Sequence, residues 1–146
     1  MSCQSRHSHL LSSLPSVLVI LVFSLVAVPV AAQTFTVLHS FTGYGDGSLP
    51  TAGLTADGTG NFYGTATSGG TNNHGTVFKL SSAGSGWVVT PIYSFQAGTD
   101  GAYPQARVVF GPDGTLYGTT TFGGAGAGYG TVFNLRPPAA ACKTAL

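Results

Sequence analysis

Apolar and polar residues alternate along 35–41 and put Phe35, Val37, His39 and Phe41 on one face, which is the period of a strand. The same reading predicts strands over 52–56 and 62–67, on either side of the turn Asp57-Gly58-Thr59-Gly60. Two more, over 76–81 and 87–95, flank Ser82-Ala83-Gly84-Ser85-Gly86, and further strands cover 106–110, 115–121 and 131–135. Pro91 lacks the N–H that a ladder needs, so its strand is expected at a sheet edge.

This pattern is written twice. Ser40-Phe41, Asp46-Gly47, Pro50, Ala52, Tyr63-Gly64-Thr65, Gly69-Gly70 and Gly75-Thr76-Val77-Phe78-Lys79-Leu80 form the first copy. The second reads Ser94-Phe95, Asp100-Gly101, Pro104, Ala106, Tyr117-Gly118-Thr119, Gly123-Gly124 and Gly130-Thr131-Val132-Phe133-Asn134-Leu135. The offset is 54 residues as far as Gly124 and 55 beyond it, so one residue is inserted in the Gly-rich loop. A period of this size marks a repeat array in which each unit buries its apolar face against a neighbour. Segment 35–41 is the repeat equivalent of 89–95 and is therefore also expected to be an edge strand.

The expected fold is all-β: antiparallel four-stranded repeat units resembling β-propeller blades, about two blades, in an incomplete propeller. The repeats span about 35–88 and 89–135 within a region of 33–136. Propellers close with about four to eight blades. Two blades predict a fragment of a longer protein, assembly with other copies, or marginal stability, with Phe41, Phe78, Phe95 and Phe133 only partly covered.

Residues 1–32 have the features of a signal peptide. Arg6 precedes an apolar run, densest over 17–30, that ends Val30-Ala31-Ala32 with small residues where a signal peptidase reads. Cleavage is expected between Ala32 and Gln33. The rival is an uncleaved anchor, since 10–32 carries no charge and is long enough to span a bilayer. Pro15, Pro29 and the Ala-Ala end favour cleavage, so the expected location is extracellular or at the cell surface. A membrane association is expected only through this segment, if it is uncleaved.

Composition narrows the choices of partner. Beyond the leader, Lys79, Arg107, Arg136 and Lys143 balance Asp46, Asp57, Asp100 and Asp113, and there is no Glu. Four scattered cations make no basic patch, which argues against nucleic acid. Cys142 is the one cysteine past the leader, so no internal disulfide can form there, and packing must hold the domain. Aromatic and β-branched residues at fixed places argue against disorder, except in the tail 137–146, where Pro137-Pro138-Ala139-Ala140-Ala141 breaks the pattern.

The combination Ser-Phe, Asp-Gly, Pro, Asp-Gly-x-Leu-Tyr-Gly-Thr-Thr, Gly-Gly and Gly-Thr-Val-Phe-x-Leu resembles the GloVer tandem repeat. The second copy matches best, through Asp113-Gly114-Thr115-Leu116-Tyr117-Gly118-Thr119-Thr120 and Gly130-Thr131-Val132-Phe133-Asn134-Leu135. The first departs, with Asp57-Gly58-Thr59-Gly60-Asn61-Phe62-Tyr63 in place of the compact Asp-Gly turn. The resemblance implies an exported bacterial protein with propeller-like repeats and one of several surface anchors, and it implies no activity. Members typically carry many repeats, which strengthens the expectation of a fragment.

No residue pattern announces chemistry. Every acidic residue precedes Gly, the dipeptide of turns, and an EF-hand-type calcium loop would need alternating oxygen ligands closed by a Glu. His39 and His74 stand where Tyr93 and Tyr129 stand in the other copy, which suggests flat packing rather than metal or base chemistry. The Gly-rich loops lack the Lys-Ser or Lys-Thr of a phosphate cradle, and no Gly-x-Ser-x-Gly elbow is present. No catalytic residue, metal site or cofactor is expected. Tyr63, Tyr117 and Trp87 are the candidates for a ligand surface, because aromatics beside small hydroxyl residues suit stacking on sugar rings. Against that, Tyr63 and Tyr117 could pack between blades, with the following Gly allowing close backbone approach.

The leading expectation is an exported noncatalytic repeat protein acting as an interaction or structural module. Its partners would be further repeats, other protein copies or polysaccharide. A carbohydrate-binding module is the alternative, and an exported propeller-type hydrolase ranks below it.

Overall fold

The computed structural model describes residues 32–126 and 128–138. The chain divides into two units at Thr36/Val37. The described part of the first, residues 32–36, holds no strand, and every strand belongs to the second. The expected leader lies outside the described residues except for Ala32, as does the tail from 139 onward, Cys142 included.

The described chain is all β, without a helix, in two antiparallel sheets of four and three strands, neither closed into a barrel. The first sheet is β1 (Thr55–Ala56), β2 (Phe62–Ala66), β3 (Thr76–Ala83) and β4 (Gly86–Ser94), in that spatial order. The second is β5 (Val109–Phe110), β6 (Leu116–Thr119) and β7 (Val132–Leu135). The repeat offset reappears in the ladders: Tyr63 faces Lys79 as Tyr117 faces Asn134, and Ala56 faces Phe62 as Phe110 faces Leu116.

Pro91 lies where its missing donor costs least. β4 is the outer strand of its sheet, and its register with β3 slips beside Pro91, between Val77 and Phe78. The expected loop over 82–86 tightens, because Ala83 pairs with Gly86 and only Gly84 and Ser85 turn the chain. Seven of the eight expected strands form, most of them shorter than the alternation suggested. The exception is 35–41, which is described without strand pairing. A strand needs a neighbour to receive its N–H and C=O groups, and among the described residues no ladder bond engages this segment.

The sheets do not respect the sequence repeats. Residues 89–94 open the second copy, yet they are the outer strand of the first sheet. The core lies where the copies meet: Tyr63 and Val77 cluster with Phe95, Val108 and Leu116, and Phe110 and Phe133 pack against them. Phe78 and Phe95 are buried rather than half-covered, while Phe41 and Phe133 are half-buried. The rings cover one another in pairs, Phe41 on Phe78 at 5.1 Å and Phe95 on Phe133 at 5.2 Å, both edge to face. Incomplete burial falls on aliphatic positions as well. Val77 is fully buried while its counterpart Val132 is 80% exposed, and Val108 is fully buried while its counterpart Leu54 is 46% exposed.

Each Tyr-Gly-Thr has its middle residue under a phenyl ring. A Cβ on Gly64 would come within 2.6 Å of the Phe78 ring and 2.9 Å of Leu54, and Gly118 lies under Phe133 in the same way. The motif and the Phe of Gly-Thr-Val-Phe are thus two halves of one contact. Gly64→Ala should therefore cost about 1–3 kcal/mol by overpacking. Gly86→Ala, where a Cβ meets nothing within 4 Å, should stay within about 0.5 kcal/mol of the parent. Denaturant melts of the two variants check this, and equal losses would contradict it.

Candidate functional site

Each of the four acidic side chains closes a turn of its own. Asp46 accepts from the Thr42 backbone N at 3.0 Å and from Thr42 Oγ1 at 2.6 Å. Asp57 accepts from the N and Oγ1 of Thr59, both at 2.8 Å, and from Asn61 Nδ2 at 2.7 Å. Asp100 accepts from the Gln96 backbone N at 3.0 Å, and Asp113 from Thr115 N and Oγ1 at 3.1 and 2.7 Å. The following glycines take the left-handed conformation that the turns require, with Gly47 at φ 99° and Gly101 at φ 100°.

The copies preserve one arrangement through different chemistry. His39 Nε2 lies 3.0 Å from Asp46 Oδ2, and the Tyr93 hydroxyl donates to Asp100 Oδ2 at 2.9 Å. Both rings stand edge-on to a Phe two residues later, His39 to Phe41 at 5.0 Å and Tyr93 to Phe95 at 5.1 Å. The imidazole and the phenol do the same work: a flat ring covers a Phe while its polar tip ties down the Asp-Gly turn. This link between positions seven apart was not apparent in the sequence, although the paired recurrence of His/Tyr and Asp was the signal that could have shown it. His74, by contrast, stands edge-on to Tyr103 at 5.6 Å, and its buried Nδ1 has no hydrogen-bond partner.

These bonds hold the carboxylates of Asp46, Asp57 and Asp113 in their charged form. Burial would raise the Asp57 carboxyl, but the bonds from Asn61 and Thr59 outweigh it and lower the group from 3.8 to about 2. Burial likewise opposes, and the Thr42 and His39 bonds overcome, at Asp46, whose carboxyl is also lowered. The Thr115 bonds lower Asp113. Burial raises the hydroxyls of Tyr63 and Tyr93, the first with help from the Asp57 charge and the second through its bond to Asp100.

The three aromatic candidates do not converge. The Tyr63 ring is 4% exposed and stands edge-on to Phe110 of the second sheet at 5.2 Å, with Lys79 Nζ 5.9 Å from its centroid. Trp87 tilts against Phe62 at 5.8 Å. Phe62 and Tyr63 are adjacent on β2, so Trp87 and Tyr63 lie on opposite faces of the sheet. Tyr117 is 38% exposed, because among the described residues no further sheet lies over it as the second lies over Tyr63. Equal positions in the repeat thus have unequal surroundings.

Threonine hydroxyls complete the seam between the sheets. Thr67 Oγ1 donates to Pro104 O at 3.2 Å, Thr65 Oγ1 to Ala106 O at 3.1 Å, and Thr55 Oγ1 to Val108 O. The accepting carbonyls alternate along one extended segment, so each hydroxyl meets one without a register conflict. A groove of about 220 Å³ follows β7 and is lined by Thr131, Val132, Asn134 and Leu135 with Phe95 and Tyr93. Among the described residues, no group of three or more His, Cys, Asp or Glu could hold a metal ion.

The sequence matches the Gloeobacter/Verrucomicrobia repeat over residues 21–146. The chain belongs to that family. The Tyr-Gly-Thr, Asp-Gly and Gly-Thr-Val-Phe motifs of this Gloeobacter/Verrucomicrobia repeat protein are the residues that build the ring contacts, the turns and the seam between the sheets. No curated protein and no solved structure matches the chain.

The lowered carboxyls set an acid limit. Their folded values lie below the unfolded value of 3.8, so their contribution is complete above that pH and is lost as pH falls towards about 2. The melting temperature should hold down to about pH 4 and fall between about pH 4 and 2. Asp57→Asn should be less stable at neutral pH and fall less steeply through that window. Thermal melts against pH check this; parallel curves for the two proteins would contradict it.

Proposed function

We propose that the chain is an exported, noncatalytic repeat protein that serves as an interaction or structural module outside the cell or at its surface. One observation carries the reading. The four aspartates are engaged in their own turns, whereas the outward surface of the stack is apolar, with Leu54, Tyr117 and Val132 exposed. Such a surface favours docking over turnover. Export is supported by Arg6, the apolar run and the Val30-Ala31-Ala32 end.

A carbohydrate-binding module is the second reading. It is favoured by the exposed ring of Tyr117 and by the half-buried Trp87 at the mouth of the β3–β4 hairpin. Because the two rings sit on different sheets, each would hold sugar independently.

Two measurements test these readings. N-terminal sequencing of protein recovered from the medium should begin at Gln33; Met1 in a membrane fraction would overturn export by cleavage. On a column of immobilised polysaccharide the chain should pass without retention. Retention that Trp87→Ala or Tyr117→Ala abolishes, with the melt unaltered, would replace the first reading by the second.

A further inference from the structure

The first sheet is completed by a strand that belongs to the next repeat, and among the described residues the second sheet has no such strand. β4 opens the second sequence copy and pairs along β3, with Val77 opposite Tyr93 and Lys79 opposite Thr90. Its counterpart in the first copy is 35–41. There Thr36 stands for Thr90, Leu38 for Ile92, His39 for Tyr93, Ser40 for Ser94 and Phe41 for Phe95. The counterpart of β3 is β7, which pairs with β6 and has its other edge along the groove. Among the described residues there is therefore both a segment with strand alternation that joins no sheet and a three-stranded sheet without the outer fourth strand.

The two open faces are complementary in the same way. Tyr63 and Val77 of the first sheet are buried beside Val108 of the second, and Thr65 donates across to Ala106 O. By the repeat offset, the second sheet presents Tyr117, Val132 and Thr119, all exposed, on its outward face. The first repeat presents Leu54 and Ala52 where the second has Val108 and Ala106. The internal seam is thus a template for a second contact, made between chains.

We propose that a second copy of this chain docks head to tail on the open end of the first. Its 37–41 segment adds to β7 as the fourth strand, and its Leu54 face covers Val132 and Tyr117. This is strand addition to an exposed edge, in which main-chain bonds supply affinity and alternate side chains supply specificity. The register copied from β3–β4 sets His39 opposite Val132 and Val37 opposite Phe133. The contact is heterologous, so successive copies either close a ring or extend as a filament. Since propellers close with about four to eight blades and the described residues of each copy supply two sheets, closed rings would hold about two to four copies. The inference rests on the interaction-module reading and names the partner; a monomeric chain would remove the partner and leave that reading standing.

The test is the mass of the purified full chain by analytical ultracentrifugation across a hundredfold range of concentration. The wild type should form one closed species of about two to four copies. Val132→Asp and Leu54→Asp should each sediment as monomers with unchanged circular dichroism, and Ser85→Asp, at the exposed β3–β4 turn, should assemble as the wild type does. Mixing the two monomeric variants is the sharpest arm. The intact end of each fits the intact end of the other, so the mixture should give a two-copy species and nothing larger. A filament dissolved by the same variants would keep the docking and overturn the closure. A wild type that stays monomeric, a mixture that stays monomeric, or assembly unaffected by Val132→Asp would overturn the proposal. Should Leu54→Asp fail to fold, Val132→Asp alone still decides, because Val132 lies at the surface.

Discussion

One face of β2 and β3 meets the segment that leads into the second sheet, and the rest of the molecule depends on that contact. Tyr63 and Val77 are covered there by Val108 and Phe110, and the hydroxyls of Thr55, Thr65 and Thr67 tie down the carbonyls of the covering segment. A small β sheet has too little apolar area to stand alone. With no disulfide available within 33–138, burial between repeats is the main source of cohesion, and each repeat contributes one half of a surface completed by the next. The Tyr-Gly-Thr and Gly-Thr-Val-Phe motifs follow from this. The Tyr and Val face the neighbour, and the Gly accepts the ring of the Phe on the other side of the strand.

A structural unit that differs from the sequence unit follows from the same seam. The chain leaves the first sheet through β4, which the second copy encodes, so the sheets are stitched together by the backbone as well as by side chains. The Asp-Gly pairs hold a left-handed glycine against a carboxylate saturated with local donors, and His39 or Tyr93 reaches in from seven residues earlier to complete the set.

Much of this was legible in the sequence because local rules and the repeat point the same way. The antiparallel plan, the edge position of the Pro91 strand and the turn role of the aspartates all depend on nearby residues. Segment 35–41 was not legible, because alternation describes a residue's fitness for a strand and says nothing of whether a neighbour is present to receive it. Tyr63 and Tyr117 show the same limit. They are identical in sequence context, yet one is buried and the other exposed, since among the described residues only the first has a sheet following it. The four Phe rings were expected to bear the cost of a short array. Phe78 and Phe95 are buried under edge-to-face partners, Phe41 and Phe133 stay half-buried as expected, and Leu54 and Val132 are more exposed still. Membership of the repeat family accounts for the motifs; the seam accounts for why they are these residues.

The central claim is that Tyr63 works as a packing residue against the second repeat and not as part of a ligand surface. The most direct measurement is a double-mutant cycle on Tyr63→Ala and Phe110→Ala, read from equilibrium unfolding, with Tyr117→Ala as the comparison. Tyr63→Ala alone should cost about 3–5 kcal/mol, as large aromatics in cores do. Its coupling to Phe110→Ala should reach about 0.5–3 kcal/mol, as for residues in contact. Tyr117→Ala should cost far less and show no coupling to Phe110→Ala. Additive losses for Tyr63 and Phe110, or equal losses for Tyr63→Ala and Tyr117→Ala, would contradict the account.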